Sequence, residues 1–398
     1  MPPRPTLSEI FLAALRLGCT SFGGPAAHLA WFRKEYVEKR DWIDDAHFAD
    51  LVALCQFLPG PASSQTGFAL GCQLRGLPGG LAAWLGFTLP SALLMLAFAL
   101  GAAAGGDLAG AGWLHGLKVA AVAVVAEAVW VMSRTLCPDW PRRLLALAAA
   151  GVLLWQPATW SQIAVIAAGA VVGTYRFRIG PPPAGAPAPG GPATSAGPTS
   201  NLICLLLFFA LLLGLPVLAH VTAWPALEVF DRFYRVGALV FGGGHVVLPL
   251  LEREVVAPGW LTHDQFLAGY AAAQALPGPL FTLSAYLGAV ARHGPGGIAG
   301  GAVALAAIFL PGLLLVAGAL PAWQRWRRHD RAQGALRGAN AAVVGLLLAA
   351  FCHPVWTSGI TDGRSLALAV AAGGALRAAR APVWLVVLVC AAAGTALW

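Results

Sequence analysis

The chain has 398 residues, of which 58% are hydrophobic and only 11% charged, with a mean hydropathy of +0.73. Soluble domains carry roughly 25% charged residues, so too little polar surface remains to coat a water-soluble globule. The net charge of +8 falls in short clusters between apolar runs, which is the positive-inside pattern and excludes a nucleic-acid-binding face.

The first residues, Met1–Ser8, hold one arginine, three prolines and no small-residue cleavage site, so they do not read as a cleaved signal. An apolar stretch then carries Arg16-x-Gly18-x-x-x-Phe22-Gly23-Gly24, with His28 just beyond. Segment Ala46–Arg75 is interrupted by Pro59-Gly60-Pro61. Each arm spans ~13–14 residues, near 20 Å at 1.5 Å per residue, short of a ~30 Å bilayer core. Proline removes a backbone donor and keeps the preceding residue out of the helical region. The arms therefore separate there, as a re-entrant hairpin or a discontinuous span, and the basic flanks (Arg33, Lys34, Lys39, Arg40, Arg75) favour re-entry from one side. Gly105–Gly112 lacks Lys and Arg, and the helix over Gly116–Ser133 carries Lys118 and Glu127. Glu127 suits a proton-coupling carboxylate or a salt-bridge partner. Arg134, Arg142 and Arg143 follow.

Residues 179–200 are almost wholly Pro, Gly, Ala and Ser, a linker that cannot bury a core. They divide a first unit, 1–178, from a second, 201–398, which opens on the apolar run Leu202–Ala219. Such runs reach the ~17–20 residues a membrane helix needs, and no alternating strand pattern suggests a barrel. The second unit repeats the first. Arg235-x-Gly237-x-x-x-Phe241-Gly242-Gly243 copies the opening pattern, Glu254 answers Glu35, and Trp260 answers Trp42. Gln274-x-Leu276-Pro277-Gly278-Pro279 copies Gln56-x-Leu58-Pro59-Gly60-Pro61, and Pro295-Gly296-Gly297 copies Pro78-Gly79-Gly80. Between matching loops the basic bias changes sides. Arg325, Arg327, Arg328 and Arg331 answer the uncharged Gly105–Gly112, while Cys352–Asp362 has no counterpart to Arg134, Arg142 and Arg143. The expected fold is an all-α polytopic membrane protein of two homologous halves, inverted in the bilayer, with ~10–13 membrane segments counting re-entrant arms.

Paired helix breaks are the best sequence pointer to a transporter's binding site. Pro61 and Pro279 each start a second arm whose N-terminal N–H groups point into the protein, where a helix end attracts anions. Gln56 and Gln274 are neutral donors fit to line that site, and Ser63, Ser64, Gln65, Thr282 and Ser284 cap the arms or touch the ligand. Arg16 and Arg235 fall at one spacing in both halves. They read as snorkelling residues or as a pair of charge clamps near the pseudo-twofold axis, and two guanidiniums suit a tetrahedral dianion. The candidate binding set is Arg16, Arg235, Gly23, Gly24, Gln56, Gly60, Gln65, Gly242, Gly243, Gln274 and Gly278. The breaks are Pro59, Pro61, Pro277 and Pro279, and Glu127, Lys118 and His28 are the candidates for coupling. Walker A, G-x-G-x-x-G, H-E-x-x-H and G-x-S-x-G patterns are missing, and the seven cysteines are scattered without a C-x-x-C pair. No enzyme, cofactor or metal is expected, which leaves gradient-driven transport.

With Phe22-Gly23-Gly24-Pro25 and His28, Gln56-x-x-Pro59-Gly60-Pro61-x-x-x-Gln65, Phe241-Gly242-Gly243-Gly244 with Pro249, Gln274-x-x-Pro277-Gly278-Pro279 and Phe309-Leu310-Pro311, the chain resembles the long, two-domain form of the chromate ion transporter family. The resemblance runs from about Leu7 to Ala350, omitting the linker. It implies chromate efflux across the cytoplasmic (inner) membrane and chromate resistance, with sulfate as the near isostere. A sulfate or other oxyanion carrier, an anion channel and a membrane-bound reductase are the rival readings. The implied partners are the oxyanion and the lipid bilayer; a homodimer is left open.

Overall fold

The computed structural model describes residues 5–22, 24–104, 112–156, 159–177, 198–241, 247–320, 323 and 329–398. In the first repeat, helix α1 (Leu7–Thr20) starts at a capping box in which Thr6 and Glu9 satisfy each other's amides. It ends before the Phe-Gly-Gly segment, and α2 (Gly24–Phe32) follows, running into a π-helical stretch, Arg33–Lys39. Helix α3 (Asp45–Phe57) is capped by Asp44 and stops at Leu58; α4 (Ala62–Ala104) begins beyond the Pro-Gly-Pro. That helix is interrupted at Arg75–Gly76, where Gly76 takes φ 65°. The chain folds back there, so that Gly71 abuts Gly79. Then come α5 (Gly112–Leu136), α6 (Trp140–Trp155) and α7 (Thr159–Arg176).

After α8 (Pro198–Thr222) the second repeat runs α9 (Pro225–Leu239), α10 (Val247–Val255), α11 (His263–Ala275), a 3-10 turn Leu280–Thr282 with α12 (Leu283–Val290), and α13 (Gly297–Ala319). It closes with α14 (Asp330–Ala350), α15 (Gly363–Arg377) and α16 (Val383–Leu397). The arms α3 and α11 have 13 residues each, so both helices break at Pro-Gly-Pro as the sequence predicts. Each helix restarts one residue later than expected, at Ala62 and Leu280, with Pro61 and Pro279 as the residues before it. Among the described residues, five helices are long and apolar enough to cross a membrane: Ala62–Gly101, Gly112–Leu136, Asn201–Thr222, Gly297–Ala319 and Asp330–Gly359. The last three positions of the 179–200 linker open α8; the rest of it, like residues 325–328, lies outside the described residues.

The halves are interlaced. The α6–α7 hairpin of the first repeat packs on α14 of the second, and the α15–α16 hairpin of the second packs on α5 of the first. Both contacts use small residues four apart: Gly112 and Gly116 face Gly394 and Cys390, while Gly334 and Gly338 face Gly173 and Gly169. Such spacing lets two membrane helices approach at backbone distance. A side chain at Gly338 would meet the Gly169 carbonyl directly. We expect Gly338→Leu to abolish recovery of monodisperse protein in detergent, read by size-exclusion chromatography, whereas Gly373→Leu, which faces open space on α15, leaves recovery unchanged.

The inversion is visible at one end of the bundle. Arg142, just after α5, lies over the Phe177 ring at 5.8 Å, and Arg337, near the start of α14, donates to the Phe177 carbonyl at 3.5 Å. The end of α5 and the beginning of its counterpart α14 therefore share one face, and the matched helices run in opposite directions. Helix α8 has no counterpart within the repeats. It packs on α9 and α13, with the Tyr234 hydroxyl donating to the Phe208 carbonyl at 3.0 Å. It is long and apolar enough to supply the extra crossing that would reverse the second unit relative to the first.

Candidate functional site

Each Pro-Gly-Pro turn is pinned to the other half. The Gly60 N–H donates to the Val240 carbonyl at 2.7 Å, and the Gly278 N–H donates to the Ser21 carbonyl at 3.0 Å. Ser21 and Val240 both lie five residues beyond their repeat's arginine, immediately before Phe-Gly-Gly. The packing around these bonds is also reciprocal: Gly60 sits against Gly312 of α13, and Gly278 against Ser91 of α4. Two bonds exchanged between equivalent positions are what a pseudo-twofold axis requires, and they place both breaks at one spot.

Between the breaks is a cavity of about 60 Å³, several times the roughly 10–15 Å³ that one water needs. The first repeat lines it with Gly24, Pro25, His28, Pro61, Ala62 and Ser63; the second contributes Gln274, Gly278, Pro279, Leu280 and Phe281 among others. Val383, at the start of α16, closes one side. Among the described residues, no acidic, lysine or arginine side chain lines it. His28 is buried and its Nδ1 lies 3.3 Å from the Ser63 hydroxyl, with the ring edge-on to Phe87. The first intrahelical bond of α4 is from Gln65 N–H to the Pro61 carbonyl at 2.9 Å, so the amides of Ala62, Ser63 and Ser64 precede the helix's own bonding. They give the cavity wall a positive end without a charged side chain.

The two breaks are unequal. Where α4 begins Ala62-Ser63-Ser64-Gln65, the second repeat has Leu280-Phe281-Thr282-Leu283. There the chain starts as a 3-10 turn, with the Thr282 hydroxyl folded back onto the Pro279 carbonyl at 2.8 Å. The polar lining is concentrated on the first repeat.

Several candidate residues fall elsewhere. Arg16 and Arg235 do not converge on the cavity. Arg235 is held by Asp231 at 3.0 Å and Glu254 at 3.5 Å, carboxylates only 6% and 9% exposed. Arg16 is exposed on α1 without an acidic partner among the described residues. The reason is local: Leu12 stands where Asp231 stands, and Glu35, the match of Glu254, is taken by Arg40 at 2.7 Å and Lys39 at 3.3 Å. Removing Arg235 strands the buried Asp231 carboxylate, while Glu254 keeps Arg232 at 3.6 Å, a loss at the lower end of the ~3–5 kcal/mol for breaking a buried pair. We expect Arg235→Gln to lower the melting temperature sharply and Asp231→Asn/Arg235→Gln to recover part of it, measured by thermal unfolding in detergent.

Gln56 is exposed outside the cavity, while Gln274 lines it. Gln65 is fully buried and is a strut, its Nε2 donating to the Pro59 carbonyl at 2.8 Å and across the halves to the Gly312 carbonyl at 3.3 Å. Gly60, Pro59 and Pro277 shape the breaks without lining the cavity. Lys118 pairs with Asp264 of the second repeat at 3.0 Å, and Glu127 is half-buried in α5 with no partner among the described residues. Gly23, Gly242 and Gly243 lie outside the described residues. Those residues include no cluster of His, Cys, Asp or Glu arranged for a metal. Sequence reasoning missed Phe281 and Val383; alignment of Phe281 with Ser63 was the available signal for the first, and nothing marked the second.

Helices broken at Pro-Gly-Pro, supplied by two inverted repeats and meeting around a small cavity, define a multi-pass membrane transport protein. The chain belongs to the chromate transporter family, whose model matches residues 8–174 and 227–395; the stretch between the matches contains α8. It is 30% identical over 375 residues to a chromate transport protein of Pseudomonas aeruginosa, covering 87% of this chain and 80% of that one. It is 28% identical over 363 residues to a chromate transport protein of Cupriavidus metallidurans (87% and 82% covered) and 26% over 360 residues to a probable chromate transport protein of Synechococcus elongatus (87% and 84%). No solved structure matches the chain.

Proposed function

We propose that the protein is a secondary active transporter that exports chromate across the cytoplasmic membrane and thereby confers chromate resistance. The observation that carries this reading is the cavity at the paired breaks: the start of α4 with Ser63, His28 and Gln274 gives a small oxyanion a neutral polar wall, and no acidic, lysine or arginine side chain among the described residues lines it. A tetrahedral dianion fits such a wall because helix-end amides and hydroxyls replace its hydration donors. The relatives named as chromate transport proteins support chromate as the cargo. Among the described residues no side chain of the lining compensates the ion's charge, so the transport step carries that charge and feels the membrane potential in addition to any coupled gradient. An inside-negative potential favours outward movement by about 2.3 kcal/mol per charge per 100 mV. Sulfate has the same charge and shape and is the competing cargo.

Everted membrane vesicles test the proposal. Energised vesicles containing the protein should accumulate chromate with saturable kinetics, and excess sulfate should reduce the rate only to the extent that the site accepts both. Uptake equal to that of vesicles lacking the protein refutes export of chromate. Sulfate accumulation at higher affinity assigns the carrier to sulfate.

A further inference from the structure

On the face of the bundle where α5 ends and α14 begins, two guanidiniums rest on one indole. Arg134, in the last turn of α5, lies 4.6 Å from the centre of the Trp130 ring, and Arg377, in the last turn of α15, lies 3.8 Å from it. One arginine comes from each repeat, and all three side chains are exposed. The neighbouring arginines spend their N–H groups inside the protein. Arg142 pairs with Asp139, Arg143 donates to the Cys137 and Pro138 carbonyls, and Arg337 donates to the Phe177 carbonyl. Arg134 and Arg377 make no ion pair with any acid among the described residues, and Glu127, one turn before Trp130, bonds to neither.

Stacking engages the flat face of a guanidinium and leaves its in-plane donors facing outward, an arrangement that matches a phosphate bidentately. Two like charges on one ring also repel each other until an anion bridges them. The concentration of arginines at this end marks it as cytoplasmic, and an exposed tryptophan belongs at headgroup depth. On the same two helices, Val131 (47% exposed) and Val370 (67% exposed) offer apolar surface of the kind an acyl chain covers. We propose that Trp130, Arg134 and Arg377 form a site for the phosphate of an anionic phospholipid of the cytoplasmic leaflet, clamping the α15–α16 hairpin to α5 from outside. This site is independent of the transported ion.

The test uses the full-length protein in detergent with added phosphatidylglycerol, phosphatidylcholine or inorganic phosphate, read by melting temperature and by native mass spectrometry. Phosphatidylglycerol should raise the wild-type melting temperature by several degrees more than phosphatidylcholine does and remain bound in the spectrometer. In Arg134→Gln/Arg377→Gln the difference between the lipids should vanish, and retained phosphatidylglycerol should fall at least about tenfold, the loss expected for charge-assisted hydrogen bonds. Trp130→Leu, which keeps both charges but frees their planes, should fall between the two. Equal retention by wild type and the double variant overturns the site, and reproduction of the shift by inorganic phosphate overturns the lipid as its occupant.

Discussion

Gly60→Ala and Gly278→Ala are each expected to abolish chromate transport in everted vesicles, with rates at least about a hundredfold below wild type. Gly60 sits at φ +126° and Gly278 at φ +95°, backbone that an L-residue adopts only with strain of about 1–3 kcal/mol. The added methyl then has nowhere to go. At Gly60 it would lie 2.7 Å from the Gln65 Nε2 and 3.2 Å from the Gly312 Cα; at Gly278 it would lie 2.8 Å from the Ser91 hydroxyl. The turn must shift, and each shift pulls on the bond to Val240 or Ser21 that holds one break against the other half. Gly278 also lines the cavity, so a shift of its backbone moves the cavity wall itself. Displacements near 1 Å at a site of this kind are enough for a hundredfold loss. Gly151→Ala, facing open space on α6, is the control and should transport normally. Normal transport by Gly60→Ala would mean that the reciprocal turn geometry does not matter to function.

The legible part of this protein is the part governed by local chemistry. Proline and glycine dictate backbone wherever they occur, so the breaks at Pro59-Gly60-Pro61 and Pro277-Gly278-Pro279 could be located, and their repeated spacing disclosed the two halves. The swapped hairpins were not legible, because Gly112, Gly116, Gly169 and Gly173 look the same in sequence whichever helix they face. The arginines illustrate a signal that was present and unread. Asp231 lies four residues before Arg235 on a helix, a spacing that forms ion pairs, while Leu12 holds that position before Arg16. Symmetry of motif led to an expectation of symmetric roles, and the neighbours decided otherwise. The same holds at the cavity. Gln56 and Gln274 match in sequence, yet only Gln274 reaches the lining, because the two repeats end their first arms in different surroundings.

That asymmetry gives the second large expected effect, on Ser63. If the first repeat's break holds the oxyanion, a carboxylate placed there opposes it directly, within a cavity where screening by water is weak. Like charges about 4 Å apart interact by about 4 kcal/mol even at an effective dielectric of 20, close to a thousandfold in affinity. Ser63→Asp should therefore eliminate measurable chromate uptake. The protein should remain folded, because the first turn of a helix tolerates an acidic residue. Ser63→Ala removes one hydroxyl donor and leaves the backbone amides, so its affinity should fall by about 10- to 100-fold, the range for a hydrogen bond to a charged group. The matched residue in the other half supplies the comparison. Phe281 faces the cavity without a polar atom, so Phe281→Leu should change affinity by less than Ser63→Ala while keeping the cavity apolar on that side. Equal losses at the two positions would place the ion midway between the breaks. A Ser63→Asp protein that still accumulates chromate would remove the start of α4 from the binding site altogether.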